Sequence, residues 1–158
     1  MTSALYPGTF DPITNGHVNI IERSSKIFQH VFVAVAENPK KEPLIPVPER
    51  TELIRTVLGN IPNVSVIWYK CLTTDCAKTV NCDVILRGVR DATDFDYEFK
   101  LATVNRYIDP NIETIMMTPD NQLSMVSSSV VKEMFSYECD ISEFVHPLVE
   151  KALKQYTK

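Results

Sequence analysis

Apolar and polar positions alternate along this chain in blocks that predict strands and helices in turn. Apolar runs at residues 4–6, 30–36, 64–69, 84–86 and 114–117 predict five strands. The run at 30–36 is continuous and rich in β-branched residues, which is typical of a strand buried on both faces of a parallel sheet.

Between these runs, apolar residues recur at helical spacing. Helices are predicted from about residue 14, from Pro48 to Gly59, weakly over 74–80, over about 94–108, from the serines at 127–129, and over 147–156. The first helix carries Ile13, Val18, Ile21 and Phe28 on or beside one stripe, and the helix at 94–108 carries Phe95, Phe99, Ala102 and Tyr107.

This repeated strand–helix alternation, with right-handed crossovers, predicts a parallel sheet covered by helices on both faces. A flavodoxin-like order and a half-Rossmann order are both compatible with the pattern, and both reverse direction beside the first strand. We predict one domain over residues 1–158, an α/β Rossmann-like doubly wound sheet of five parallel strands in the order 3-2-1-4-5. Ligands bind at the carboxyl ends of strands at such a reversal, here between strands one and four.

Composition narrows the function without identifying it. The chain has 158 residues, 44% hydrophobic and 23% charged, and a net charge of −4. An acidic protein of this kind is not expected to bind nucleic acid over a broad surface, although a local basic pocket remains possible. The four cysteines form no C-x-x-C pair, no export signal is visible, and no apolar run approaches the roughly 20 residues of a membrane span. We expect a cytoplasmic protein with reduced thiols and no membrane partner.

The turn after the first strand is the first candidate site. Thr14 is a good N-cap, which would place Asn15, Gly16 and His17 in the first helical turn. Free backbone N–H groups and the positive end of the helix dipole would attract an anion there. The alternative is an ordinary strand–turn–helix with an incidental histidine.

Two basic groups are expected at the same edge of the sheet. Arg87 and Arg90 flank Gly88 after strand four, and guanidinium groups bind phosphates in bidentate fashion. The alternative for these arginines is pairing with the aspartates at 91, 94 or 96. Lys40 and Lys41 follow strand two and could reach a phosphate, although lysine pairs in loops are usually just solvated.

A serine run and one carboxylate complete the candidates. Ser127, Ser128 and Ser129 open a helix after strand five and could form a second anion cradle, with ordinary N-capping as the alternative. Glu98 is interpreted as a surface carboxylate or a partner of Arg90.

Together these motifs resemble a known family. The sequence Thr-Asn-Gly-His at 14–17 is a T/H-x-G-H motif of nucleotidylyltransferases. With Tyr-Pro-Gly-Thr-Phe-Asp-Pro before it, Arg-Gly-Val-Arg at 87–90 and Val-Ser-Ser-Ser-Val-Val-Lys-Glu at 126–133, the chain is similar nearly end to end to bacterial phosphopantetheine adenylyltransferases. The resemblance implies transfer of AMP from ATP to 4′-phosphopantetheine by direct in-line attack, with Mg²⁺ as cofactor. It also implies a homohexamer and feedback inhibition by coenzyme A.

The resemblance also implies roles for individual residues. His17, Lys41 and Arg90 would be catalytic, with His17 stabilising the α-phosphate in the transition state. The acceptor substrate would be bound by Thr9, Lys41, Thr73 and Arg87. ATP would be bound by Thr9, Phe10, His17, Gly88, Val89, Arg90, Glu98, Leu123, Ser124, Met125, Val126, Ser127, Ser128 and Ser129.

Two segments depart from the family's pattern. Leu123-Ser124-Met125 stands where an aromatic before Ser-Phe is common, and residues 71–76 are more polar than the usual pantetheine-side segment. The residues alone also leave two other functions open. One is a transferase on the same scaffold with nicotinamide mononucleotide or glycerol 3-phosphate as acceptor, and the other is a nucleotide-binding module without catalysis.

Overall fold

The computed structural model describes residues 2–38 and 42–156. In chain order the elements are β1 (Ser3–Gly8), α1 (Asn15–Ser25), β2 (His30–Ala36), α2 (Val47–Val57), β3 (Val64–Tyr69), α3 (Thr73–Thr79), β4 (Val84–Gly88), α4 (Ala92–Ile108), β5 (Glu113–Met117), a 3-10 turn (Asn121–Leu123), α5 (Ser128–Ser136) and α6 (Pro147–Tyr156). Every predicted strand and helix forms. The 3-10 turn was not predicted, and α4 begins earlier than expected because Asp91 caps it.

The strands form one parallel sheet in the order β3-β2-β1-β4-β5, which confirms the predicted topology. β1 pairs with β2 along its whole length, from Ser3 opposite His30 to Gly8 opposite Val35. Its pairing with β4 is confined to Ala4 with Val84 and Leu5 with Ile85. The two strands therefore part toward their carboxyl ends, and the crevice predicted at the reversal of strand order opens between them.

Each face of the sheet packs against its own set of apolar side chains. On one face, Ala4 and Tyr6 of β1 join a large core that includes residues of α1, α2, α5 and α6. On the other face, Leu5 and Ile85 join a smaller cluster with α3. This alternation along β1 places neighbouring side chains of one strand on opposite sides of the crevice.

Helix α4 contributes little to either core. Its apolar positions Phe95, Phe99 and Tyr107 are 52%, 57% and 89% exposed, respectively. Its one buried residue is the carboxylate Glu98. The apolar spacing therefore predicted the helix correctly, but the aromatic side chains that form its apolar stripe face outward instead of into the core.

Asp11 joins three separate segments beside the crevice. Its buried carboxylate accepts hydrogen bonds from the backbone N–H groups of Leu44 and Ile45, both at 2.9 Å, and from Nζ of Lys132 at 3.2 Å. A guanidinium nitrogen of the buried Arg50 lies 3.8 Å away. A buried carboxylate is tolerated only when it is paired in this way. Asp11 therefore fixes the loop after β1 against the segment that precedes α2 and against α5.

Replacing Asp11 by Asn should lower the free energy of unfolding by about 3 kcal/mol, because it leaves the buried Arg50, the half-buried Lys132 and two backbone N–H groups without their charged acceptor. Urea denaturation followed by circular dichroism measures this change. The matched control is Asp96→Asn, which breaks the exposed pair with Lys100 and should cost about 0.5 kcal/mol or less. Equal losses in the two variants would contradict the role given to Asp11.

Candidate active site

His17 is fixed at the first turn of α1 by reciprocal hydrogen bonds with Thr14. The Thr14 hydroxyl accepts from the backbone N–H of His17 at 3.4 Å, and the backbone N–H of Thr14 donates to Nδ1 of His17 at 3.0 Å. This is a capping box in which histidine occupies the place usually taken by Glu or Gln. Thr14 is thus the N-cap that the sequence predicted. Because Nδ1 accepts a hydrogen bond, the proton of the neutral ring lies on Nε2.

The electrostatics of the site keep this histidine neutral. Burial first, and then the positive charges of Arg90 and Arg87, lower the pKa of His17 to about 4. The residue as a whole is half-buried, and its ring packs edge-on against Phe10 with the centroids 5.0 Å apart. At neutral pH, His17 therefore offers a neutral Nε2–H donor.

Phe10 occupies a strained position in the turn between β1 and α1. Its φ of 49° lies in the left-handed region, which bulky side chains rarely adopt. This backbone places its buried ring edge-on against both Tyr6 and His17. Phe10, which the sequence predicted to bind ATP, thus also packs against the ring of His17.

Gly16 allows the start of α1 to approach the turn after β5. A Cβ atom at this position would lie 3.1 Å from the backbone carbonyl oxygen of Leu123. A side chain would therefore push the two segments apart. The glycine of the Thr-Asn-Gly-His motif thus serves close packing around the site.

The two predicted arginines are each held by a carboxylate of α4. Nε and Nη2 of Arg87 donate to the two carboxylate oxygens of Glu98, both at 2.6 Å, and Nη1 donates to the carbonyl of Pro7 at 2.8 Å. Arg90 donates to Asp94 at 2.7 and 3.0 Å. The expected alternative of Arg90 pairing with Asp94 is therefore present.

The interpretation of Glu98 was wrong on both counts. The residue is buried rather than on the surface, and its partner is Arg87 rather than Arg90. The reason is that Arg87 still lies within β4, on the face covered by α4, whereas Arg90 has left the strand. Burial lowers the pKa of Arg87, but its hydrogen bond and ion pair with Glu98 outweigh that effect and raise the pKa above its usual value. Arg87 is therefore a permanent and firmly oriented cation.

A cavity of about 300 Å³ brings most of the predicted site residues together. From the sequence predictions it is lined by Thr9, Phe10, His17, Arg87, Gly88, Arg90, Glu98, Leu123, Val126, Ser127, Ser128 and Ser129. The Thr-Asn-Gly-His turn, the arginine motif and the serine run thus share one crevice at the carboxyl ends of β1 and β4.

Other predicted residues lie elsewhere. Val89 is buried and its backbone N–H donates to the carbonyl of Met117, Met125 is 83% exposed, and Ser124 does not line the cavity. Thr73 is also outside it and pairs with the hydroxyl of Tyr69 at 3.2 Å. Lys41, like Lys40, lies outside the described residues.

The serine run does more than cap α5. The Ser127 hydroxyl accepts from the backbone N–H of Val130 at 3.2 Å, which is the capping bond. The Ser128 hydroxyl donates to the carbonyl of Pro12 at 2.7 Å and so ties α5 to the turn after β1. Ser129 is exposed at the cavity wall. A larger cavity of about 580 Å³ adjoins the first and shares Thr9, Ser128 and Ser129 with it.

Several cavity-lining residues were not identified from the sequence, among them Tyr6, Ile20 and Asp94. The four-residue spacing between Arg90 and Asp94 was a usable signal for an ion pair. Tyr6 and Ile20 gave no such signal, because both read as ordinary core positions of a strand and a helix. Only the divergence of β1 from β4 exposes them to the crevice.

The described residues do not form a metal centre by themselves. No group of three or more His, Cys, Asp or Glu side chains within residues 2–38 and 42–156 is placed to hold a metal ion. The carboxylates at the cavity, Asp94 and Glu98, already pair with arginines. In the same part of the chain, no helix has the length and apolar character needed to cross a membrane.

The low pKa of His17 predicts how stability depends on pH. The unfolded chain takes up a proton near the ordinary histidine pKa of about 6.5, whereas the folded protein does so only near 4. Stability should therefore fall as pH drops from about 6.5 to 4, and His17→Gln should flatten this dependence. An NMR titration of the His17 ring, assigned by its loss in that variant, measures the pKa directly. A midpoint at the ordinary value in the ligand-free protein would contradict the electrostatics described above.

Sequence comparisons identify the relatives of this chain. Residues 5–134 match the model of the cytidylyltransferase-like family. The phosphopantetheine adenylyltransferase of Hahella chejuensis is 48% identical over 155 residues, covering 98% of this chain and 96% of the relative.

Solved structures agree on the fold. A Vibrio parahaemolyticus structure assigned as a nicotinate-nucleotide adenylyltransferase superimposes with a TM-score of 0.73 at 18% identity, covering 98% of this chain and 93% of that one. Plasmodium falciparum nicotinic acid mononucleotide adenylyltransferase gives 0.70 at 17% identity, with 98% and 95% covered. The chain therefore belongs to the cytidylyltransferase-like nucleotidyltransferases and, within them, to the phosphopantetheine adenylyltransferase family.

Proposed function

We propose that this chain transfers AMP from ATP to 4′-phosphopantetheine, giving dephospho-coenzyme A and pyrophosphate, the penultimate step of coenzyme A biosynthesis. The observation that carries the proposal is a neutral histidine with its Nε2–H donor in a cavity that also holds two arginines and the amino end of a helix. The choice of acceptor is supported by the 48% identical relative. The two structural neighbours support the fold alone, so they do not favour a nicotinate nucleotide as acceptor.

The reaction is a direct in-line displacement. A phosphate oxygen of 4′-phosphopantetheine attacks the α-phosphorus of ATP, and the bond from that phosphorus to the bridging oxygen of the β-phosphate breaks to release pyrophosphate. The attacking phosphate is largely ionised at neutral pH, so the reaction needs no strong general base and no covalent enzyme intermediate. The protein's contribution is positioning and stabilisation of charge.

His17 acts as a hydrogen-bond donor toward the α-phosphate. Its Nδ1 is occupied by the backbone N–H of Thr14, so Nε2–H is the group available to the substrate. Negative charge on the non-bridging oxygens of the α-phosphate is stabilised by that donor in the transition state. A residue with a pKa near 4 is neither a strong base nor a permanent cation at pH 7.

Arg87 is suited to hold the acceptor phosphate. Its hydrogen bonds to Glu98 and Pro7 fix the guanidinium, and each terminal nitrogen keeps a second N–H group for a ligand. Thr73 and Tyr69 lie toward the same face of the sheet, and the charge of Arg87 acts on Tyr69. Thr9, Thr73 and Lys41 complete the acceptor site in this proposal.

Arg90, Gly88 and the residues from Leu123 to Ser129 are assigned to ATP, together with Phe10. The exposed amino end of α5 and Arg90 complement the charge of the triphosphate. For Glu98, the ion pair with Arg87 supports an orienting role more strongly than a direct contact with ATP. Val89 would act through its backbone carbonyl, because its side chain is buried and its backbone N–H already donates to the carbonyl of Met117.

Mg²⁺ enters this proposal as part of the ATP complex. The described residues offer no carboxylate cluster that fits a resident ion, so the metal would be held mainly by phosphate oxygens and water. Bound there, it would neutralise charge on the phosphates. No residue of this chain is assigned to it.

Assembly, regulation and location are also proposed. A homohexamer with coenzyme A as feedback inhibitor follows the family resemblance. The exposed apolar side chains of α4, with Tyr107 at 89% exposure, support burial of that helix in an assembly. Coenzyme A contains both halves of the product and could compete for the same crevice. Four unpaired cysteines support a cytoplasmic location.

An acceptor panel tests the proposed function. The protein is incubated with ATP, Mg²⁺ and one of 4′-phosphopantetheine, nicotinamide mononucleotide or glycerol 3-phosphate, and pyrophosphate release is measured. We expect release with 4′-phosphopantetheine alone. Pantetheine without its phosphate is the matched control and should give none, because it lacks the attacking group. Release only with nicotinamide mononucleotide would mean that this nucleotide, and not 4′-phosphopantetheine, is the acceptor. Release with none of the three would overturn the proposal.

A further inference from the structure

Tyr6 packs in the core on the α1 side of the sheet and also lines the candidate active-site cavity. Tyr6 lies on β1, its side chain is 4% exposed, and its ring packs edge-on against Phe10 with centroids 5.4 Å apart.

Gly88 shows where the hydroxyl ends. A Cβ atom at Gly88 would lie 3.1 Å from the Tyr6 oxygen and 2.9 Å from Cδ1 of Ile20. The phenol therefore ends directly beneath the backbone at the carboxyl end of β4. The absence of a side chain at Gly88 leaves this oxygen uncovered toward the crevice.

The Tyr6 hydroxyl has no hydrogen-bond partner within residues 2–38 and 42–156, and its oxygen is not among the fully enclosed polar atoms that lack one, which are Nε of Arg50 and Oγ1 of Thr74. Buried tyrosine hydroxyls usually have one, because leaving a buried polar group unpaired is costly. Tyr69, on the opposite face of the sheet, follows that rule through its bond with Thr73. Because this oxygen is open to the cavity, a ligand or a water molecule there is the partner available to it.

The surrounding charges keep this hydroxyl protonated and favour an anionic partner. Burial raises the pKa of Tyr6 well above its usual value, Glu98 raises it further, and Arg87 and Arg90 oppose these effects. The phenol therefore remains a neutral donor at physiological pH. Since two arginines lie within electrostatic reach, an oxygen beside it would carry negative charge favourably.

We propose that Tyr6 is a nucleotide-binding residue whose hydroxyl donates a hydrogen bond to a phosphate oxygen of ATP. The nucleotide is favoured over the acceptor because Tyr6 lies on the α1 side of the sheet with Phe10 and His17, whereas Tyr69 and Thr73 lie on the other side. The inference rests on the adenylyl transfer proposed above and gives a role to Tyr6, a motif residue to which the sequence analysis assigned none.

The variant Tyr6→Phe tests this assignment, because it keeps the ring and removes only the oxygen. Calorimetric titration should show about tenfold weaker binding of ATP, the effect of losing one hydrogen bond to a charged group. The KM for ATP should rise while the KM for 4′-phosphopantetheine stays nearly constant. Tyr137→Phe is the matched control, since Tyr137 is 75% exposed at the far end of α5, and it should bind ATP as the parent does.

The outcomes separate the inference from the proposed function. Unchanged ATP binding in Tyr6→Phe, or equal rises in both KM values, would overturn the inference while leaving the transferase intact. A parent protein that binds no ATP would overturn both. If the variant folds poorly, 3-fluorotyrosine incorporated in the parent gives a second readout. The ¹⁹F resonance of Tyr6 should then shift on addition of ATP and remain in place with the acceptor alone, and the reverse pattern would overturn the inference.

Discussion

The hydrogen bond from the backbone of Thr14 to Nδ1 of His17 connects the local folding of α1 with the chemistry of the crevice. The same contact completes the cap of the helix and decides which ring nitrogen carries the proton. Burial and the neighbouring arginines then keep the ring neutral. A structural requirement of the helix thus presents one oriented donor to the crevice, and in the proposed function this donor stabilises the α-phosphate.

The two arginines of the site are also held by hydrogen bonds within the protein that leave donors for a ligand. Arg87 is paired with Glu98 and Arg90 with Asp94, so neither arginine is left as an isolated buried charge in the ligand-free protein. Both keep donors for a phosphate, because a guanidinium group has more N–H groups than one carboxylate can use. On the neighbouring side, Asp11 joins the turn after β1 to α5, and the Ser128 hydroxyl makes a second tie to the same turn. The elements that surround the substrates are therefore held together by buried polar contacts rather than by apolar packing alone.

The sequence predicted the architecture because its signals were local or periodic. Alternating strands and helices predicted a parallel sheet whose strand order reverses beside the first strand, and Thr14 could be identified as a cap from its position before the helix. The pairing of Arg87 with Glu98 was not accessible in this way, since it depends on how α4 crosses β4 after eleven residues of chain. The outward-facing aromatic side chains of α4 were missed for a related reason. Apolar spacing shows that a helix has a stripe, but it does not show what covers that stripe.

The position of Tyr6 illustrates the same limit at the site itself. In the sequence it is one more apolar residue of a buried strand, and only the parting of β1 from β4 after Leu5 and Ile85 brings its hydroxyl to the crevice. Thr73 and Met125 show the converse, because the family resemblance assigned them to the site although neither lines the 300 Å³ cavity.

The most direct test of the account is the single-turnover rate of AMP transfer in His17→Ala, measured with saturating ATP and 4′-phosphopantetheine and compared with the affinity for ATP. Loss of one transition-state donor should lower the rate by roughly 10²–10³-fold. ATP affinity should change little, and thermal unfolding should verify that the variant stays folded after losing the bond to Nδ1, with the Thr14 hydroxyl still capping the backbone N–H of residue 17. A nearly normal rate in the folded variant would contradict the role of His17 as the donor to the α-phosphate.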